Sequence, residues 1–223
     1  GSKNELLFVI IASLVAGFIA KLPAILNIEA DTFYQRNVGF IVFPILTSYF
    51  FWKNGLSIRK MVLAGLAFTI AVFFINLLPA DTKSDTLILS CIHLPLFLWA
   101  VLGFSYVGDQ MNSSRKRLDF LRYNGDLVIM STLILIAGAI LTGITIGLFK
   151  LIGYEIEKFY TEYIGIIGLA AVPIVATYIT QTNPQLVNRV SPVIAKIFSP
   201  LVLITLVVYL IAILISGKDP YND

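Results

Sequence analysis

Seven long apolar runs, joined by short polar connections, constrain this chain more than any other feature. A helix needs about 20 mostly apolar residues to cross the ~30 Å of hydrocarbon in a bilayer. Backbone N–H and C=O groups in lipid must pair internally, and runs that are apolar on every face indicate helices, not barrel strands. We therefore predict an all-α, polytopic transmembrane bundle of about seven spans. The runs are 6–26, 38–52, 61–78, 86–107, 127–149, 164–180 and 197–215.

The overall composition agrees with a membrane protein. Charged residues make up 13% of the 223 residues, against about 25% in soluble domains, and the mean hydropathy is +0.89. The single cysteine, Cys91, excludes an intrachain disulfide and a multi-cysteine metal site, and the single histidine excludes a histidine cluster. We predict neither a metal nor a cofactor.

The second run is short for a membrane span, at 15 residues. It can be extended by Phe33 and Tyr34 at one end, which would leave Arg36 to reach back to the membrane surface. The alternative is six spans with a second segment that is re-entrant or interfacial.

The orientation follows from the distribution of Lys and Arg between alternate connections. The basic side holds the N-terminus and the connections between runs two and three, four and five, and six and seven. The basic side has ten Lys and Arg residues and four Asp and Glu residues. The opposite side, here called the acidic side, has six Lys and Arg residues and nine Asp and Glu residues. The sequence therefore predicts a cytoplasmic N-terminus, with the basic side in the cytoplasm.

Small residues recur at helical spacing along several runs. Ala12, Ala16 and Ala20 form one ladder, and a second is formed by Ala139, Gly143 and Gly147. Such ladders allow helix backbones to approach closely in lipid. Packing within the chain is the plainer interpretation. The alternative is a contact with a second copy or another protein, for which the fifth run is the best candidate.

Very few polar residues lie inside the runs, and each is a functional hypothesis. His93 lies about a third of the way into the fourth run and can relay protons or bind a ligand. The plainer interpretation is a neutral imidazole bonded to a carbonyl of a neighbouring helix. Asn76, near the end of the third run, is a second ligand candidate, with interhelical hydrogen bonding as the plainer role. Asp126, with Asn124 before it, resembles a helix N-cap of the fifth span.

One basic cluster stands before the fifth run, interleaved with apolar residues. It is formed by Arg115, Lys116, Arg117 and Arg122. We predict a short amphipathic segment on anionic headgroups, since each cation near such a surface contributes about 1 kcal/mol. Membrane lipids are thus expected partners, and nucleic acid is not. Aromatic residues near the run ends, including Tyr49, Trp52, Tyr106 and Tyr123, are expected to anchor the helices at headgroup depth.

The C-terminal residues carry a more specific pattern. Ile-Phe-Ser-Pro-Leu-Val at 197–202 is followed by a long apolar helix and then by Ser-Gly-Lys-Asp-Pro-Tyr-Asn-Asp at 216–223. This stretch resembles the bacterial domain-of-unknown-function family 4153, whose members are polytopic membrane proteins with further spans after this motif. The resemblance implies a single transmembrane domain over 3–223, truncated from a longer bacterial protein. It implies no activity. Residues 1–2, Gly-Ser, are typical of a scar left by removal of an expression tag.

These observations lead to three functional hypotheses. The first is a non-enzymatic module of the bacterial inner membrane, acting as a sensor, scaffold or accessory subunit. The second is a transporter of an apolar or lipid-like substrate, for which proline-interrupted helices and a cavity reaching His93 are expected. An enzyme acting on lipid ranks last, because the sequence offers no pair of convergent catalytic groups.

Overall fold

Each apolar run forms a helix in the computed structural model, which describes residues 3–79, 84–183 and 190–216, without the side chains of 190–197 and 216. There are seven long helices in these ranges, and no strand. They are α1 (Lys3–Leu26), α2 (Ala30–Asn54), α3 (Ile58–Leu77), α4 (Asp85–Val107), α5 (Ser114–Leu151), α6 (Glu157–Thr182) and α7 (Val190–Ser216). The predicted all-α helical bundle is confirmed. The Gly-Ser start and residues 217–223 of the C-terminal motif lie outside the described residues.

Six of these helices are long and apolar enough to cross a membrane, which indicates a multi-pass membrane protein; α2 is the exception. With 25 residues, α2 has a length of about 37 Å at 1.5 Å per residue, enough to cross the hydrocarbon. It is one continuous helix, so the re-entrant alternative does not describe its shape. Its role as a seventh span stays a prediction.

The core of the bundle forms around α2. Leu46, Tyr49 and Phe50 of α2 are almost fully buried and join one cluster with residues of α1, α4, α5 and α6. A second cluster packs Phe40 of α2 against α3 and α4, around Ile75. Because α2 faces protein on most sides, it tolerates polar residues that a lipid-facing helix does not.

Two pairs of helices pack closely at a glycine residue, which has no side chain. A Cβ atom on Gly39 of α2 would lie 2.7 Å from Cδ1 of Leu98 on α4, and one on Gly17 of α1 would lie 2.9 Å from Ile167 of α6. The alanine ladder of α1 is buried in the main cluster, so packing within the chain is confirmed for it. Glycine and alanine thus let these backbones approach closely.

The fifth helix begins well before its apolar run. Ser113 is its N-cap, and the Ser113 hydroxyl accepts a hydrogen bond from the backbone N–H of Lys116. The predicted cap around Asp126 is therefore wrong, since Asn124 and Asp126 lie inside α5. Hydropathy marks only the lipid-crossing part of a helix, and the polar first turns are stabilised by a cap and by packing.

The sixth helix contains a π-helical turn at Tyr160–Gly165, near its start. Lys21 of α1 contacts this turn: its ammonium donates to the carbonyl oxygen of Glu162 at 2.8 Å and lies 4.2 Å from the ring centre of Tyr163. The acidic-side ends of α1 and α6 are joined by this contact.

Candidate functional site

Asn76, a predicted ligand candidate, pairs with Asn37 across the α2–α3 interface. Each amide donates to the other's side-chain oxygen, at 3.0 Å from Asn37 and 2.8 Å from Asn76. The second amide protons go to backbone carbonyls one turn earlier, those of Phe33 and Val72. Asn76 thus makes interhelical hydrogen bonds, with all its amide protons used. The ligand role of Asn76 gains no support from this arrangement.

Arg36 is buried against the end of α3, and its predicted reach to the membrane surface stays a prediction. Its side-chain amino groups donate to the carbonyl oxygens of Ile75, Leu78 and Pro79, at 3.2, 2.9 and 3.0 Å. The last carbonyls of a helix have no partner within the helix and carry partial negative charge. A guanidinium has several N–H donors and can therefore bond several of these carbonyls at once.

On the basic side, α1 and α2 are joined by a charged group of three side chains. The hydroxyl of Tyr49 donates to Oε1 of Glu5 at 2.6 Å, and the Lys53 ammonium lies 3.2 Å from the same oxygen. Glu5 and Tyr49 are both buried. A buried carboxylate needs such hydrogen-bond partners. The Glu5 carboxylate is therefore used to hold α1 against α2.

The aromatic residues of the basic side are divided between core and surface. Trp52 is exposed, as expected of a headgroup anchor, but Tyr49 and Tyr123 are buried. The Tyr123 hydroxyl lies 2.8 Å from Oγ1 of Thr177 on α6, and its ring lies beside those of Phe50 and Tyr106. The anchoring prediction is therefore wrong for Tyr49 and Tyr123. Both rings are buried because their hydroxyls find partners on other helices.

His93 lies in an open groove between α3 and α4. The groove has a volume of about 770 Å³, and the residues around it are otherwise almost wholly apolar, among them Leu66 and Ile70 of α3 and Leu89 and Phe97 of α4. Ser90, one turn before His93, is the other polar side chain lining it. Nothing in the hydropathy pattern marks Ser90, although its i, i+3 spacing from His93 places both on one helix face.

The imidazole of His93 is held by its own helix. Its Nδ1 lies 2.8 Å from the carbonyl oxygen of Leu89. A neighbouring-helix carbonyl was the expected partner, and that expectation is wrong. Since the carbonyl only accepts, Nδ1 carries a proton, and this tautomer of the imidazole has its lone pair on Nε2. His93 therefore offers the groove a hydrogen-bond acceptor.

The basic cluster forms the first turns of α5, in line with the rest of the helix. Arg115, Arg117 and Arg122 are exposed, whereas Lys116 is partly covered. The same turns expose Leu118. The segment is thus a helix with cations around an apolar exposed strip, an arrangement suited to a headgroup surface. Headgroup binding by these residues stays a prediction.

The small residues of α5 lie on a face that the described helices leave open. Ala139, Gly143 and Gly147 are exposed. A Cβ atom added to Gly143 or Gly147 would meet no described atom outside its own helix within 4 Å. The described part of the chain therefore does not pack against this ladder, unlike the alanine ladder of α1. A contact with another molecule stays a prediction.

No group of three or more His, Cys, Asp or Glu side chains able to share a metal ion is found in 3–79, 84–183 and 190–216. The chain matches no family model, no curated protein and no solved structure. Its function must therefore be inferred from its own residues.

Proposed function

We propose that this chain is a non-enzymatic module of a bacterial inner membrane, acting as a sensor, scaffold or accessory subunit. One observation carries the proposal: several of the buried polar side chains bond one helix to another. Asn37 and Asn76 pair with each other, Arg36 caps α3, and Tyr49 bonds Glu5. Groups committed in this way stabilise a fixed frame. Catalysis requires groups that converge on a shared substrate position.

A module of this kind acts through partners, and α5 offers the face for one. Its small-residue ladder is exposed along Ala139, Gly143 and Gly147. Close helix approach in lipid favours such faces. We propose that a second copy of the chain or another membrane protein packs here.

Site-directed cross-linking tests this proposal in native membranes. The only cysteine, Cys91, is first replaced by serine, and Gly143→Cys is introduced. We expect this variant to form a cross-linked dimer, or one discrete product with another membrane protein. The matched control is Phe18→Cys on α1, which is also exposed. Equal cross-linking at the two positions would show that α5 has no specific partner.

A transporter of an apolar or lipid-like substrate is the second candidate. The groove that reaches His93 supports it. Against it, α4 continues as one helix through Pro95, whereas transporters commonly use broken helices at their binding sites. Full flux of a candidate substrate through a reconstituted His93→Ala variant would remove this histidine from any transport mechanism.

We also propose membership of the bacterial domain-of-unknown-function family 4153, with the N-terminus in the cytoplasm and further spans after residue 223. The support is the C-terminal motif and the excess of Lys and Arg on the basic side. Both observations come from the sequence. Sequencing the gene in its source genome tests whether the reading frame continues with further apolar runs after the motif.

A further inference from the structure

A polar pair in an apolar groove needs a partner. The groove between α3 and α4 is open at the surface of the bundle, and His93 is exposed there. Within the described residues, neither Nε2 of His93 nor the hydroxyl of Ser90 makes a side-chain hydrogen bond. In hydrocarbon an unpaired polar group costs several kcal/mol, because no water is available to replace the bond.

The depth of His93 restricts which membrane molecule can supply that bond. His93 follows Asp85, the first residue of α4, by eight positions, or about 12 Å along the helix. The phosphate and glycerol of a phospholipid stay at the membrane surface. Its ester carbonyls accept hydrogen bonds and cannot donate one to Nε2. An acyl chain would therefore fill the groove and leave His93 unpaired.

A hydroxyl on an apolar chain meets both requirements. It donates to Nε2 of His93 and can accept from the hydroxyl of Ser90, while the chain lies against walls such as Leu66 and Phe97. The volume of about 770 Å³ falls in the usual range for ligand sites, roughly 300–1,000 Å³. We propose that the α3–α4 groove binds a lipid alcohol, an apolar or isoprenoid chain that ends in one hydroxyl.

This inference concerns binding alone and goes beyond the proposed module. It depends on α3 and α4 facing lipid, and holds whether or not the alcohol is transported or α5 has a partner. A failed cross-linking experiment on α5 therefore leaves it unaffected, and a failed binding experiment leaves the module proposal unaffected.

Native mass spectrometry of the purified full chain in detergent tests the site with a matched pair of probes. The probes are geranylgeraniol and its methyl ether, which has the same chain but no O–H donor. We expect the alcohol to bind about tenfold more tightly, the factor that corresponds to one hydrogen bond of about 1.4 kcal/mol.

Three variants distinguish the contribution of the hydrogen bond to binding from that of the apolar groove. His93→Phe should bind the alcohol and the ether equally, since the acceptor is lost and an apolar ring remains. Ala67→Phe, which fills the groove at one of its lining residues, should bind neither probe. Thr69→Val changes an exposed polar residue of α3 that does not line the groove and should keep the tenfold preference.

Several results would overturn the proposal. Equal binding of alcohol and ether to the unmodified chain, or a preference that persists in His93→Phe, would exclude the hydrogen bond. No alcohol adduct up to the solubility limit of the probe would exclude the site. A dimer that disappears in His93→Phe, with no alcohol bound, would show that a second copy of the chain occupies the groove.

Discussion

At the scale of single residues, buried amides and charges define how neighbouring helices meet. Asn37 and Asn76 each use both amide protons, one across the interface and one on their own helix. In a membrane such a pair fixes the rotation of two helices about their axes, because any other rotation leaves four groups unpaired in lipid. The pair therefore specifies the α2–α3 interface.

A double-mutant cycle on this pair measures that specification. Asn37→Leu or Asn76→Leu alone should destabilise the protein, because each leaves the other amide with unsatisfied groups. The double variant should cost less than the sum, with a coupling free energy of about 0.6–1.7 kcal/mol, from the average to the maximum for polar pairs in a membrane protein. Thermal unfolding in detergent provides the four stabilities. Strict additivity would show that the two amides do not interact.

Sequence reasoning predicts which residues need partners but not always which partners they find. Asn76 was expected to bond across helices, and it does. Arg36 was expected to reach toward the membrane surface, and its guanidinium caps the end of α3. The sequence does not indicate this partner, because only the tertiary arrangement brings the end of α3 next to Arg36. The bond from His93 to Leu89 is local, whereas a carbonyl of a neighbouring helix was the expected partner.

At the scale of helices, glycine has opposite roles on α2 and α5. Gly39 of α2 leaves room for Leu98, a fully buried side chain. Gly143 of α5 faces open space among the described residues. The two positions belong to the same residue type in the same kind of helix, and the sequence pattern alone does not distinguish them.

Substitution by valine should separate these two glycines. Gly39→Val would force its side chain into Leu98 and should destabilise the monomer by about 1–3 kcal/mol, the usual cost of overpacking a core. Gly143→Val should change monomer stability by about 0.5 kcal/mol or less, as at other uncovered positions. Unfolding in a detergent that keeps the chain monomeric provides both values. Equal losses would mean that α5 is covered within the monomer.

The length of α5 leaves room for its first turns beyond the hydrocarbon. Its 38 residues span about 57 Å, well beyond the ~30 Å of hydrocarbon. The cations of the first turns are exposed at Arg115, Arg117 and Arg122. Hydropathy located only the apolar part of this helix, because the first turns are charged. Those turns are helical because capping and contact with other helices stabilise them.

Removing those cations should weaken selection of anionic lipid. We expect the triple variant Arg115→Gln, Arg117→Gln and Arg122→Gln to bind spin-labelled phosphatidylglycerol several-fold more weakly, at about 1 kcal/mol for each cation near the surface. Its binding of phosphatidylcholine should not change. Lys158→Gln, at the acidic side, is the matched control and should leave the selectivity unchanged. Unaltered selectivity in the triple variant would exclude these arginines as a lipid contact.

At the scale of the whole molecule, α2 lies in the middle of the bundle, and the other helices cover most of its surface. Its core residues contact α1, α4, α5 and α6 in one cluster, and α3 in another. The number of helices and the all-α architecture follow from the sequence, because lipid leaves few alternatives for long apolar runs. The position of α2 does not, since a short run with charged residues before it predicts an interfacial segment as well as a central span.

The most direct test of a seven-span frame with a central α2 is the accessibility of the two ends of α2. Single cysteines are placed at Glu29 and Ser57 in a chain in which Cys91 is serine, and spheroplasts are treated with a membrane-impermeant maleimide. We predict labelling at Glu29 in intact spheroplasts, and at Ser57 only after lysis. Labelling of both positions in intact spheroplasts, or of neither, would place both ends of α2 on one side and contradict the seven-span bundle.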